Sequence, residues 1–135
     1  MRTLILLTLC AATFSAHAAS QCKSGVVHRK LDKQQIGNLQ VQKVNSLKED
    51  WRLDPKKTAQ YEIFSGVGQT AAKKPDMVPV TFVSGDDKTQ IYSFTQPDRK
   101  IELTMKKPEW LLPYSGIYKL MMWVVTDVKT TCTKK

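Results

Sequence analysis

Histidine is nearly absent from this chain, cysteine is sparse, and arginine is heavily outnumbered by lysine. There are two histidines and three cysteines in 135 residues. His17 and Cys10 fall in the N-terminal segment described below, which leaves His28, Cys22 and Cys132. One histidine excludes a His-rich zinc site, and pairing of the two cysteines removes thiolate ligands as well. The same pairing consumes the thiol that a Cys–His nucleophile pair needs. A Ser–His–Asp triad could be drawn only around His28, and no Gly-x-Ser-x-Gly elbow accompanies it. Gly66-Val67-Gly68 is not a phosphate loop, because no Lys-Ser or Lys-Thr closes it and no strand-to-helix unit follows. Adjacent carboxylates (Glu49-Asp50, Asp86-Asp87) lie in polar turns, and Glu102 points outward on its strand, so a paired-carboxylate hydrolase is not indicated. Asp86, Asp87 and Asp98 lack calcium-loop spacing. The expectation is a non-enzyme with neither metal nor cofactor.

The N-terminus reads as an export signal. Met1-Arg2 supplies one positive charge, Thr3 to Phe14 is apolar, and Ala16-His17-Ala18 fits the small-x-small cleavage pattern. The apolar run is shorter than the roughly 20 residues a membrane-spanning helix needs. Residues 1–18 are therefore expected to be removed, leaving 19–135 as a single domain. No later stretch spans a membrane; Ile117 to Val125 is about half the needed length and contains Lys119. Cys22 and Cys132 then sit near the two ends of the mature chain, and in an oxidising compartment they are expected to pair. On the chain-entropy model a closed loop of this length is worth about 4–5 kcal/mol. Periplasmic or secreted localisation follows from both features. The absence of Asn-x-Ser/Thr sites points to a bacterial source.

Charge is one-sided. The chain carries a formal +9, and loss of Arg2 brings it to +8. Lysine doublets recur at Lys56-Lys57, Lys73-Lys74, Lys106-Lys107 and Lys134-Lys135. Such a surface suits an acidic protein, an anionic membrane surface or an acidic glycan. Nucleic acid ranks last, since only Arg29, Arg52 and Arg99 follow the signal and no aromatic–arginine face is evident.

Period-two patterns dominate after residue 75. Val78, Val80 and Phe82 alternate, with Pro79 marking an edge strand or its start. Thr89 to Thr95 and Lys100 to Lys106 follow, joined by Gly85-Asp86-Asp87-Lys88 and Gln96-Pro97-Asp98-Arg99 turns. In the last of these strands Ile101, Leu103 and Met105 point inward. Gly116 to Thr126 is apolar on both faces and reads as a central strand. Asp127-Val128-Lys129 reads as a turn, with a short strand from Lys129 to Thr133. In the first half, Val26 to Lys30, Leu39 to Leu47 and Ala59 to Phe64 are strand candidates, and Ser46 to Glu49 resembles a capping box. Together these predict an all-β fold. It is a single small β-sandwich, immunoglobulin-like or a related Greek key, of about seven or eight short strands. One helical turn is expected near 46–52, and a disulfide joins the termini.

Ser115-Gly116-Ile117-Tyr118 after the Ile101–Met105 strand is similar to immunoglobulin-like domains, which place Gly-x-Tyr at the entry to a core strand. The resemblance covers about 20 residues. It implies a tyrosine hydroxyl that ties down the preceding corner. Leu120 stands where that family has its second core cysteine, so an antibody-type bridge is excluded.

The candidate binding residues are Lys106, Lys107, Trp110, Leu111, Leu112, Tyr114 and Trp123. Pro108 to Tyr114 packs a Trp, two Leu and a Tyr between prolines, directly after two lysines. Exposed, it would be a rigid apolar anchor beside positive charge; folded back, it would close an open end of the sandwich. Trp123 poses the same choice between core and an apolar sheet face open to a partner. The expected function is non-enzymatic binding of another protein, as in a periplasmic inhibitor or immunity-type protein. A lipid- or anionic-glycan-binding sandwich is the first alternative, and a small secreted effector or hydrolase the second.

Overall fold

A computed structural model describes residues 21–44, 50–67, 70–116 and 118–133. The export signal, the Ser46–Glu49 capping box, Gly68, Ile117 and the Lys134-Lys135 doublet lie outside the described residues.

Five strands form one antiparallel sheet: β1 (Gly25–His28), β2 (Thr81–Gly85), β3 (Thr89–Gln96), β4 (Arg99–Lys106) and β5 (Val124–Cys132), in the order β1-β5-β4-β3-β2. The expected meander is present. Gly85 has φ 135°, and a Cβ there would meet the Thr89 carbonyl oxygen at 2.2 Å, so the β2–β3 turn requires glycine. Asp86 completes that turn by accepting from the Lys88 and Thr89 amides at 2.8 and 2.9 Å. Ile101, Leu103 and Met105 are buried on one face of β4, as their alternation predicts. The opposite face carries Glu102, Thr104, Asp127 and Lys129, with Glu102 between Lys100 (3.3 Å) and Lys129 (3.9 Å).

Cys22 and Cys132 form the expected disulfide, with their Cα atoms 5.9 Å apart. It joins the lead-in to β1 to the end of β5, and these strands are neighbours from Gly25↔Thr130 to His28↔Asp127.

The expected sandwich is corrected. Among the described residues there are five strands in one sheet, and helices cover its apolar face. Leu39 to Leu47, expected as a strand, instead begins with the end of helix α1 (Lys33–Leu39) and continues as a π-helical turn over Gln40–Val44. Ile36, Gln40 and Val44 recur at helical spacing on the buried side, whereas Val41 is exposed. Asp32 caps α1 by accepting from the Gln35 amide at 3.0 Å. Ala59 to Phe64 is likewise helical, running from α2 (Pro55–Glu62) into a π-helical turn at Ile63–Val67. Asp54 caps it through the Lys57 amide, and Pro55 fits the first turn because its missing N–H would have had no partner there. Trp51–Leu53 forms a single 3-10 turn capped by Asp50, close to where one was expected.

The apolar segment before residue 126 is corrected too. Gly116 ends a short helix, α3 (Leu112–Ser115), in the left-handed conformation at φ 65°. Tyr118–Leu120 is another 3-10 turn, and β5 starts only at Val124. The Tyr118 hydroxyl is buried without a hydrogen-bond partner among the described residues, so it ties down no corner of the immunoglobulin kind. The segment is apolar on both sides because it runs between two cores. Trp123 and Val125 join Ile63, Val78, Phe94 and the β4 row beneath α2. Met121, Met122 and Val124 join Val44 and Leu111 beneath α1. Asp127-Val128-Lys129 makes no turn. β5 runs on to Cys132, with Asp127 held by His28 from β1.

Candidate functional site

The β3–β4 register places Thr89 opposite Lys106, and the Lys107 amide donates to the Lys88 carbonyl at 2.9 Å. Lys88 and the Lys106-Lys107 doublet, distant in sequence, thus meet at one end of the sheet. The chain then turns through Pro108 into a 3-10 turn, Glu109–Leu111, which drives Leu111 into the second core, fully buried. Trp110, half-buried, packs against that same core. Between these elements lies a cleft of about 300 Å³, walled by Leu31, Trp110 and Pro108 and lined by Lys88, Lys106 and Lys107. Glu109 is the one carboxylate among its lining residues, and its nearest cation is Lys88 at 3.9 Å, both side chains being exposed. A pair so exposed contributes little to stability, so both charges remain available to a ligand.

The three lysines differ. Lys106 is exposed, as is Lys88. Lys107 is half-buried, its ammonium 5.1 Å from the ring centres of both Tyr118 and Trp123. Burial pushes its pKa below the usual lysine range, with Asp87 acting in the opposite direction. The Tyr118 hydroxyl is pushed up, by burial first and then by Asp87, Asp86 and Glu109. Lys33, from the first turn of α1, places its ammonium 5.8 Å from the Trp110 ring centre.

The structure therefore places Lys106, Lys107 and Trp110 in the lining of one cleft and leaves the other candidates out of that lining. Leu111 and Trp123 are core residues. Leu112 and Tyr114 are partly exposed, do not line the cleft, and lie in α3, where the Tyr114 ring covers Gly37 of α1. The apolar sheet face expected around Trp123 is not built, because Trp123 lies under the helical layer. Lys88, Leu31 and Lys33 were not among the sequence candidates. Lys88 is a single lysine in a turn signal, and only the strand register shows that it adjoins Lys106.

His28 bonds through Nδ1 to the Asp127 carboxylate, which also accepts from the Thr126 hydroxyl at 2.8 Å. These two bonds, His28 first, hold Asp127 below the usual carboxylate range. The His28 side chain is 81% exposed at a sheet edge. Among the described residues no three His, Cys, Asp or Glu side chains gather where a metal ion could be held, and no helix is long and apolar enough to cross a membrane. Comparison with protein-family models, with curated proteins and with solved structures returned no match.

Proposed function

We propose that this chain is an exported, non-enzymatic binding protein that holds an acidic segment of another protein in the cleft between Lys88, Lys106, Lys107 and Trp110. The observation that carries the reading is a cleft lined by three lysines and walled by Trp110, with a single carboxylate among its lining residues. An inhibitor or an immunity-type protein that neutralises an exported toxin fits this arrangement, since either works by surface recognition alone. Export to the periplasm or beyond, after loss of residues 1–18, agrees with the Cys22–Cys132 disulfide, which persists in oxidising compartments. The half-buried setting of Trp110 favours a protein ligand over insertion into a membrane, which needs a projecting apolar tip.

The test is affinity capture with mature, disulfide-intact protein against the exported fraction of its source. A partner bound at low salt and released as salt rises, and lost with Lys106→Glu, supports the reading. Capture indifferent to Lys106→Glu contradicts it. Sedimentation with phosphatidylglycerol vesicles in place of protein capture would shift the assignment to an anionic membrane surface.

A further inference from the structure

A second cavity, of about 410 Å³, lies on the other side of Leu31, between α1 and the Trp51–Leu53 turn. Its floor is apolar, formed by Leu31, Ile36, Leu39 and the start of β5. One end holds two arginines fixed by the same stretch of chain. The Arg29 amide donates to the Thr126 carbonyl at 2.8 Å, and the Arg52 carbonyl accepts from the Trp123 amide at 2.8 Å. Those anchor points are three residues apart, about 10 Å along an extended strand. Each guanidinium is already oriented, Arg29 by Glu62 (2.8 Å) and Arg52 by Asp50 (2.8 Å) and by the Trp51 ring, 4.2 Å away. Neither partner uses the whole fork. Both bonds from Arg52 to Asp50 leave its Nη1, and Arg29 meets Glu62 through Nη1. A guanidinium carries five N–H groups, so donors remain on both.

The charges lining the cavity are Arg29, Lys30 and Arg52 against Asp32 and Glu62, and Asp50, bonded to Arg52 from outside the lining, balances them. At the far end, Gln35, Ile36 and Leu39 are shared with a hollow of about 330 Å³ that runs on past Asn38 and Gln42. We propose that this groove is a binding site for an aliphatic monocarboxylate. The carboxylate takes the remaining N–H groups of Arg29 and Arg52, and the chain lies over Leu31, Ile36 and Leu39. An apolar tail matches the floor. Guanidinium forks suit a planar carboxylate better than an ammonium would. The site is independent of the lysine cleft proposed above.

Isothermal titration of the mature, disulfide-intact protein with decanoate, decanol and acetate tests this. Decanoate is expected to bind at one site per chain, at least about tenfold tighter than decanol or acetate, because each of these lacks one half of the match. Arg29→Gln is expected to weaken decanoate by a similar factor. Gln35 is exposed, and its backbone cap to Asp32 is independent of its side chain. Gln35→Trp therefore fills the groove without disturbing the fold and is expected to abolish saturable binding even where Arg29→Gln fails to fold. Decanol binding as tightly as decanoate, no saturable decanoate binding, or unchanged decanoate binding in Gln35→Trp would each overturn the proposal.

Discussion

The two cores of this domain are built differently. The one beneath α2 is a sheet core: alternate residues of β3 and β4 point into it, and ten buried residues fill it, Trp123 among them. The one beneath α1 is assembled from short helical pieces. Among the described residues, its five buried side chains are bordered by six partly buried ones, including Leu31, Trp110 and Tyr118, and the buried amide of Gln40 borders it. Regular pairing lets the first core satisfy its backbone within the sheet. The second core takes only Val124 from the sheet among its described buried residues, so side chains substitute for strand partners. Gln40 donates to the Leu120 carbonyl and accepts from the Met122 amide, both at 2.7 Å, holding the β5 lead-in as a neighbouring strand would. Both candidate sites border this second, less regular core.

That contrast can be broken by mutation. Leu103→Ala in the sheet core is expected to cost about 3–4 kcal/mol, as a fully buried leucine in a close-packed region. Leu53→Ala, at a partly buried position bordering the second core, is expected to cost about 1–2 kcal/mol. Comparable losses in urea unfolding would erase the distinction. Next in size is Gln40→Ala, which strands two backbone groups and is expected to cost about 2 kcal/mol. A loss no larger than for an exposed glutamine such as Gln34 would show that water replaces the amide. Gly37→Ala is smaller again, about 1 kcal/mol, because the new Cβ falls 2.7 Å from the Tyr114 ring and the ring must shift. Stabilisation instead, as an exposed helical glycine would give, would mean that Tyr114 does not rest on α1.

The smallest effect is a pH dependence at the β1–β5 edge. Asp127 is held below its ordinary value of 3.8, chiefly by His28. A lowered folded value gives stability that is fully present above the ordinary value and is lost as pH falls through the folded one. His28→Ala should therefore flatten the acid limb of the melting temperature as pH falls below 3.8. An unchanged acid limb would show that Thr126, not His28, sets the carboxylate.

The meander was legible because period-two alternation and turn residues are local signals. Ile101, Leu103 and Met105 needed no tertiary information. The helices were hidden for identifiable reasons. The π-helical turn at Gln40–Val44 disturbs the 3.6-residue period, so Leu39 and Val41 imitate alternation. α2 and its C-cap residue present Ala59 and Ile63 to the core at helical spacing, among lysines and glutamines. Its start was nonetheless written in Asp54-Pro55, and that of α1 in Asp32, as capping signals. The double-sided apolarity of Met121 to Val125 was seen but assigned to a central strand, because sequence does not show that two cores flank it. Of the candidate site, Lys106, Lys107 and Trp110 were visible as a local cluster. Lys88 and Leu31 were not, since only pairing and packing bring them there.

The lysine cleft is tested most directly by the affinity of a fluorescently labelled hexaglutamate peptide, compared between two variants of equal net charge. Lys88→Glu with Lys106→Glu reverses charge in the cleft, and Lys56→Glu with Lys57→Glu reverses the same amount on α2. Loss of binding of at least about tenfold in the first variant and about twofold or less in the second is the expected result. Equal losses would show that the peptide senses only the overall positive charge, and would contradict a built acidic-segment site.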